Sequence, residues 1–301
     1  MSSIKEIYHN LLSLTANARK QAKDMQDLKL LIAKDLSRRS VAAENIREAE
    51  FKVFSQWGDD GIIQYLTHNI HIENKTFIEF GVENYTEANT RFLLIHDNWS
   101  GLVMDGSAEN IEYIKKDEIS WRHDLKAKSA FISAENINDL ILSENISGNI
   151  GLLHIDIDGN DYWVWKNITA VDADIVIVEY NSVFGSERAI TIPYDPGFIR
   201  TKAHHSNLYY GSSLTSLCDL AEKKGYGFVG CNSAGNNAYF VKKNKIAGLK
   251  TYTVKEGFVE AKFRESRNEK GELDFLSGSK KREAIRNLKV LNTRTNSIET
   301  L

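Results

Sequence analysis

Four short apolar runs, each ending in a carboxylate, constrain this chain more than any other feature. They are Thr76-Phe77-Ile78-Glu79-Phe80-Gly81-Val82, Gly101-Leu102-Val103-Met104-Asp105-Gly106, Gly151-Leu152-Leu153-His154-Ile155-Asp156-Ile157-Asp158-Gly159, and Asp174 to Val178 followed by Glu179-Tyr180-Asn181. A continuous apolar run of this length reads as a strand buried on both faces, as in a parallel sheet. Between the runs lie helix candidates at 87–96, 107–114, 136–142 and 162–168, and Trp121-Arg122-His123-Asp124 reads as the close of a third strand. The alternation predicts an α/β fold, Rossmann-like, with a doubly wound and mostly parallel sheet. Right-handed crossovers would then bring the strand C-termini, with Glu79, Asp105, Asp156 and Glu179, onto one edge.

That edge is where open α/β sheets bind ligands. Gly81 follows the first strand and lets backbone approach a ligand closely. Asp105 ends the second strand about 25 residues after Glu79, where an acidic residue in dinucleotide-type folds accepts from ribose hydroxyls. A second reading of Asp105 is a cap for the helix that begins at Ser107. The stretch Ser55-Gln56-Trp57-Gly58-Asp59-Asp60-Gly61 is turn-rich, and its polar residues read more simply as helix caps than as a pocket wall.

The segments around this unit carry weaker signals. Residues 4–32 place Ile4, Leu11, Ala18, Met25 and Ile32 every seventh residue, with Ile7, Leu14, Gln21 and Leu28 three further on. Such a seam predicts either a homodimer formed by a coiled coil or an amphipathic helix laid on its own domain. Residues 182–213 form a long polar and aromatic insert just past Glu179, holding both prolines, Pro193 and Pro196, and the candidate substrate contacts Tyr194, His204 and His205. A helix at 216–224 and a hairpin at 226–230 and 237–241 follow, with Asn232, Asn236 and Asn237 in the turn for backbone reasons. From residue 250 on, twelve Lys/Arg face eight Asp/Glu, which suits a solvated helical tail. The expected organisation is an N-terminal helical extension at 1–50, a Rossmann-like domain at 51–245 with the insert, and a C-terminal tail at 246–301.

Composition narrows the classes. A net charge of −3 gives no global bias toward nucleic acid. No apolar run reaches the roughly 20 residues of a membrane span. Lys20, Lys23 and Asp24 break any signal-peptide core, and only two cysteines occur, so a cytoplasmic protein without a disulfide framework is expected.

The order and spacing of Ser55-Gln56-Trp57-Gly58-Asp59-Asp60, Phe77-Ile78-Glu79-Phe80-Gly81, the Gly101–Gly106 run and His154-Ile155-Asp156-Ile157-Asp158-Gly159-Asn160-Asp161 resemble the S-adenosylmethionine-dependent methyltransferases of the FkbM-like group, over residues 51–243. The chain departs from that pattern in its first loop, where Glu83-Asn84-Tyr85 replace small residues, and at His154, which stands where the group has lysine. The resemblance implies a class I fold and S-adenosyl-L-methionine as cofactor. It places Glu79 and Gly81 at the amino acid part of the cofactor, Asp105 at the ribose, Asp124 at the adenine and Asp156 beside them. It implies O-methylation of a small molecule, sugar or glycan precursor, with His154, Asp158 and Asp161 as catalytic candidates.

The residues themselves leave the chemistry open. A period of two puts His154, Asp156 and Asp158 on one face, and an imidazole near its neutral pKa is a candidate base. Asp156, Asp158, Glu179 and Asn181 form a hard-oxygen set suited to Mg²⁺ or Mn²⁺. Asp156-Ile157-Asp158 also reads as the DxD of a metal-dependent glycosyltransferase. A third reading is a non-catalytic, methyltransferase-like binding module that works through its N-terminal seam.

Overall fold

The computed structural model describes residues 2–301, with side chains from residue 5 onward, so Ile4 of the seam lies outside the described side chains. Five parallel strands form the centre: β1 (Thr76–Phe80), β2 (Ser100–Asp105), β3 (Leu125–Ser129), β4 (Gly148–Ile155) and β5 (Val171–Glu179). After the two-residue β6 (Ile190–Thr191), β7 (Tyr226–Cys231) and β8 (Asn237–Lys242) close one edge as an antiparallel hairpin. The sheet order is β3-β2-β1-β4-β5-β8-β7. The chain therefore winds one way from β1 to β3 and the other way from β4, which leaves a crevice between the C-terminal ends of β1 and β4.

Burial follows the period-two rule. Ile78, Phe80, Leu153, Ile155, Val176 and Val178 pack one face of the sheet, while Phe77, Leu152, Ile175 and Ile177 pack the other. Both faces are buried, which is why these strands read as continuous apolar runs. The parallel doubly wound sheet expected from the sequence is the one observed.

Three local expectations are corrected. Trp121 to Asp124 does not close a strand: residues Ile119–Arg122 are helical, and β3 starts only at Leu125. Its Leu-Lys-Ala-Lys-Ser sequence is half-buried, as suits a sheet edge, and too polar to register as an apolar run. The helix expected from residue 87 begins at Arg91, because residues 82–90 form a loop with Glu83 and Tyr85 in the left-handed region. The C-terminal segment is not a solvated helical tail. Here β9 (Lys289–Asn292) and β10 (Ser297–Thr300) join β6 of the insert in a second, antiparallel sheet, packed around Phe184, Ile190, Leu208, Ile285 and Val290.

The N-terminal helix, Ser2–Ser40, meets the domain from Lys29 onward, chiefly through Leu30, Ala33, Ser37 and Ser40. No helix among the described residues is long and apolar enough to cross a membrane.

Candidate active site

The crevice opens into a cavity of about 560 Å³. The strand ends supply Glu79, Gly81, Asp105, His154, Asp156, Asp158 and Glu179 to its walls, so seven residues singled out in the sequence share one site.

At the end of β1, Glu79 is buried and holds its own loop. Oε1 accepts from the Asn89 backbone N–H (2.8 Å) and faces His154 Nδ1 (2.9 Å), while Oε2 accepts from the Thr90 N–H (2.9 Å) and hydroxyl (2.5 Å). Burial pushes this carboxyl up, but the hydrogen bond and charge of His154 outweigh burial and hold it below the usual range. With both oxygens taken, Glu79 orders residues 82–90 instead of offering a free carboxylate. Gly81 is required where it stands: its φ is +71°, and a Cβ would lie 1.8 Å from the Asp156 carbonyl oxygen. The loops after β1 and β4 are pressed together there.

His154 is buried between two partners, Glu79 at Nδ1 and Asn89 Nδ2 at Nε2 (3.2 Å). Burial disfavours its charged form, but Glu79 outweighs burial and raises its pKa. With the Asn89 amide as placed, Nε2 must accept; turning that amide over would suit the imidazolium that Glu79 favours. In either arrangement both ring nitrogens are occupied. Asp105 accepts from Ser107 N–H and Asn110 Nδ2 at Oδ1, and only from Glu83 N–H at Oδ2. The helix itself is capped by the Ser107 side chain, which Asp105 Oδ1 holds in place, while Asp105 Oδ2 keeps acceptor capacity toward the cavity.

Strand β4 ends at Ile155, so the alternation that was to align His154, Asp156 and Asp158 stops before the carboxylates. Asp158 instead takes φ +56°. Even so, one oxygen each from Asp156, Asp158 and Glu179 lies within 4.8 Å of the others. Burial, then the charge of Asp158, raises Asp156 to about 7. Burial, then the charges of Asp156 and Asp158, raises Glu179 well above the usual carboxylate range, and its Oε2 has no hydrogen-bond partner. Asp161 lies beneath this loop: Oδ1 accepts from Ile157 N–H (2.8 Å) and Oδ2 from Gly159 N–H (3.0 Å). It shapes the turn that presents Asp156 and Asp158, and it lies outside the cavity wall.

The remaining candidates do not converge here. Asp124 precedes β3, at the opposite end of the strands, where its carbonyl accepts from Gly101 N–H at the start of β2. Asn181 spends its amide on the Leu208 and Tyr210 carbonyls and its Oδ1 on Val183 N–H. Tyr194 pairs with Ala134 and Glu135, and His204 with Ser206, all away from the cavity wall.

Sequence reasoning missed other walls. The insert provides Phe198 and Arg200, and the C-terminal segment provides Phe263 and Glu265. Arg200 Nη1 binds Asp158 Oδ1 and its Nη2 binds Glu265 Oε1, each at 2.5 Å, while its guanidinium lies 3.8 Å over the Tyr210 ring. Trp57 stacks on Phe263 at 6.0 Å with 17° between the planes. Asn160 and Asn237 anchor their Nδ2 atoms on Asp195 O and Asp59 Oδ1 and leave buried Oδ1 atoms without partners. Asp60 gathers Val53, Phe54 and Ser55 N–H groups and the Ser55 hydroxyl on Oδ2, and Asp59 Oδ1 accepts from Asn232 and Asn237. These carboxylates therefore tie down loops and do not cap the helix, whose N-cap is Gly58 without a side-chain bond, while Gln56 and Trp57 face the cavity. A second chamber of about 330 Å³ adjoins the first across Asp158, Phe198 and Arg200, and adds Thr201, Asn207 and Arg267.

No protein-family model matches the chain, and no curated protein matches it, so the FkbM-like likeness remains one of motifs. Solved structures similar in fold include the fibrillarin pre-rRNA processing protein of Methanococcus jannaschii, 8% identical, covering 63% of this chain and 75% of that one at a TM-score of 0.38. An O-methyltransferase from Bacillus cereus in complex with SAH is 13% identical, with coverage of 56% and 74% and a TM-score of 0.34. A SAM-dependent methyltransferase from Aquifex aeolicus is 9% identical, with coverage of 56% and 84% and a TM-score of 0.34. Overlaps this loose concern strand layout and assign no residue of the site.

Proposed function

We propose that the chain is an S-adenosylmethionine-dependent methyltransferase acting on a hydroxyl of a sugar or glycan precursor. The observation that carries this reading is the charge of the cavity. Asp105, Asp156, Asp158, Glu179 and Glu265 line it, and its one guanidinium, Arg200, is already paired to two of them. Such walls favour a cofactor bearing a sulfonium and an ammonium, and oppose an unshielded diphosphate. In this reading the free side of Asp105 Oδ2 takes the ribose hydroxyls, and Trp57 and Phe263 flank the cofactor's mouth.

Methyl transfer needs donor and acceptor held in line and a proton removed from the acceptor. His154 has both ring nitrogens occupied and Asp161 lies outside the cavity wall, so the base falls to the carboxylates of the wall that keep free oxygens. Asp156, raised to about 7, is matched to neutral pH. Asp156, Asp158 and Glu179 also fit a hard divalent cation, since the unpartnered Glu179 Oε2 lacks a donor or ion. Mg²⁺ or Mn²⁺ bound there would lower the pKa of the acceptor hydroxyl. The acceptor's place is the second chamber, where the Phe131 and Phe198 faces beside Thr201, Asn207 and Arg267 suit a sugar ring. The reading also takes the chain to act as a homodimer through residues 4–32.

Thermal-shift measurements with S-adenosylhomocysteine, UDP-glucose and GDP-mannose, each with and without Mg²⁺, test the reading. Stabilisation by S-adenosylhomocysteine, lost in Asp105→Ala, is expected. A response only to a nucleotide sugar with Mg²⁺ would transfer the site to the glycosyltransferase reading, and no response to any of them would favour the binding module.

A further inference from the structure

The N-terminal helix uses two different faces. Its last turns pack on the domain through Ala33, Ser37 and Ser40, with Ser37 Oγ donating to Gln64 Oε1 at 2.6 Å. The heptad stripe lies on another side and stays open even beside that contact: Leu28 is 50% exposed and Ile32 53%. Farther out, Ile7, Leu11, Leu14 and Met25 are 55–67% exposed, and residues 5–29 are exposed throughout. The own-domain alternative for this stripe is thereby removed, because the domain occupies a separate face, about 120° around the helix, and leaves the stripe open. A helical arm of this length ordinarily owes its stability to packing of its apolar face.

We infer that this stripe binds a second copy of the chain in a parallel, in-register, two-stranded coiled coil. With Leu11, Ala18, Met25 and Ile32 at a and Ile7, Leu14, Gln21 and Leu28 at d, Asp24 falls at g and Lys29 at the following e. Parallel in-register pairing sets Asp24 of one copy against Lys29 of the other, twice by symmetry. Lys29, whose ammonium lies 4.8 Å over the Phe54 ring of its own chain, stays exposed and within reach of either partner. An antiparallel pairing centred on Ala18 and Gln21 would set Asp24 near Asn17 and Lys29 near Tyr8, with no opposite charges facing. The single polar layer acts in the same direction. In register, Gln21 meets Gln21 and the two amides can bond each other, whereas a slip of one heptad buries each against a leucine. Both domains then sit at the same end of the stalk, because each is attached near residues 33–40.

Light scattering on the full chain, with variants in the stripe, tests this. The expected mass is twice 34.1 kDa for the wild type and 34.1 kDa for the Leu14→Glu/Leu28→Glu double variant, with the main melting transition retained as proof of folding. Leu14→Cys, at a d position that meets itself only in the parallel alignment, is expected to form a covalent dimer on oxidation. A monomeric wild type, or a double variant that stays dimeric, would overturn the interface. A dimeric Leu14→Cys protein that fails to cross-link would overturn the parallel alignment.

Discussion

At the scale of single residues, the site depends on a few atoms that admit no substitute. Gly81 combines a left-handed φ with a Cβ direction blocked at 1.8 Å by the Asp156 carbonyl. Gly81→Ala is expected to cost about 3 kcal/mol, and to weaken S-adenosylhomocysteine binding at least about tenfold, as denaturant titration and calorimetry would show. The buried carboxyls make a pH prediction. Burial is the first cause that raises Asp60 and Asp161 to about 6 and Asp156 to about 7, all above the 3.8 of a free aspartate. A carboxyl whose folded pKa lies above its unfolded value stabilises the fold fully below the unfolded value, and that stability is lost as pH rises through the folded one. Stability should therefore fall between about pH 4 and 7. The depressed Glu79 has the opposite sign, and its contribution is lost only at lower pH. In melts from about pH 4 to 8, Asp156→Asn should melt about 2–4 °C above wild type at pH 8, with the gap closing toward pH 4. Glu79, Asp105, Asp156 and Glu179 were legible in the sequence because a strand's period and its end fix where such side chains emerge. What each carboxylate bonds to was not legible: Glu79 and Asp161 bind backbone N–H groups of loops whose turns carry no sequence period.

At the scale of elements, the cavity is closed by segments that arrive from far along the chain. Residues 258–266 run over its mouth, tied by Tyr180 to the Val259 carbonyl, by Ser182 Oγ, which accepts from Ala261 N–H, and by Lys281 Nζ, which donates to the Ala261 and Phe263 carbonyls. Arg200 fastens this strap to the β4 loop through Glu265 and Asp158. Arg200→Ala should speed amide exchange across 258–266 by at least about tenfold while leaving β4 and β5 protected. Unchanged exchange would mean that the other three ties suffice. Nothing local in the sequence marks Arg200, Phe263 or Glu265, since each is held at the cavity by partners far away in the chain: Arg200 by Asp158 and Glu265, Phe263 by Trp57 and Lys281. The polar edge strand β3 escaped notice for a related reason: its alternating lysines carry half the apolar signal of a buried strand.

At the scale of the whole molecule, a buried parallel sheet is the most legible part of the chain, because burial on both faces leaves nearly unbroken apolar runs. The N-terminal stripe was equally visible, but its partner was not, since one heptad pattern serves both self-packing and pairing. Deleting residues 1–28 should keep the contacts of Ala33, Ser37 and Ser40 and shift the domain's Tm by no more than about 3 °C. A larger loss would mean that the arm supports the domain itself. The central claim is that the acid-walled cavity between β1 and β4 holds a sulfonium cofactor through Asp105. Isothermal titration calorimetry with S-adenosylhomocysteine on the wild type and on Asp105→Ala tests it most directly. The account predicts one site per chain with a Kd in the micromolar range, weakened at least about tenfold in the variant. Absence of binding to the wild type, or binding that Asp105→Ala leaves unchanged, would contradict it.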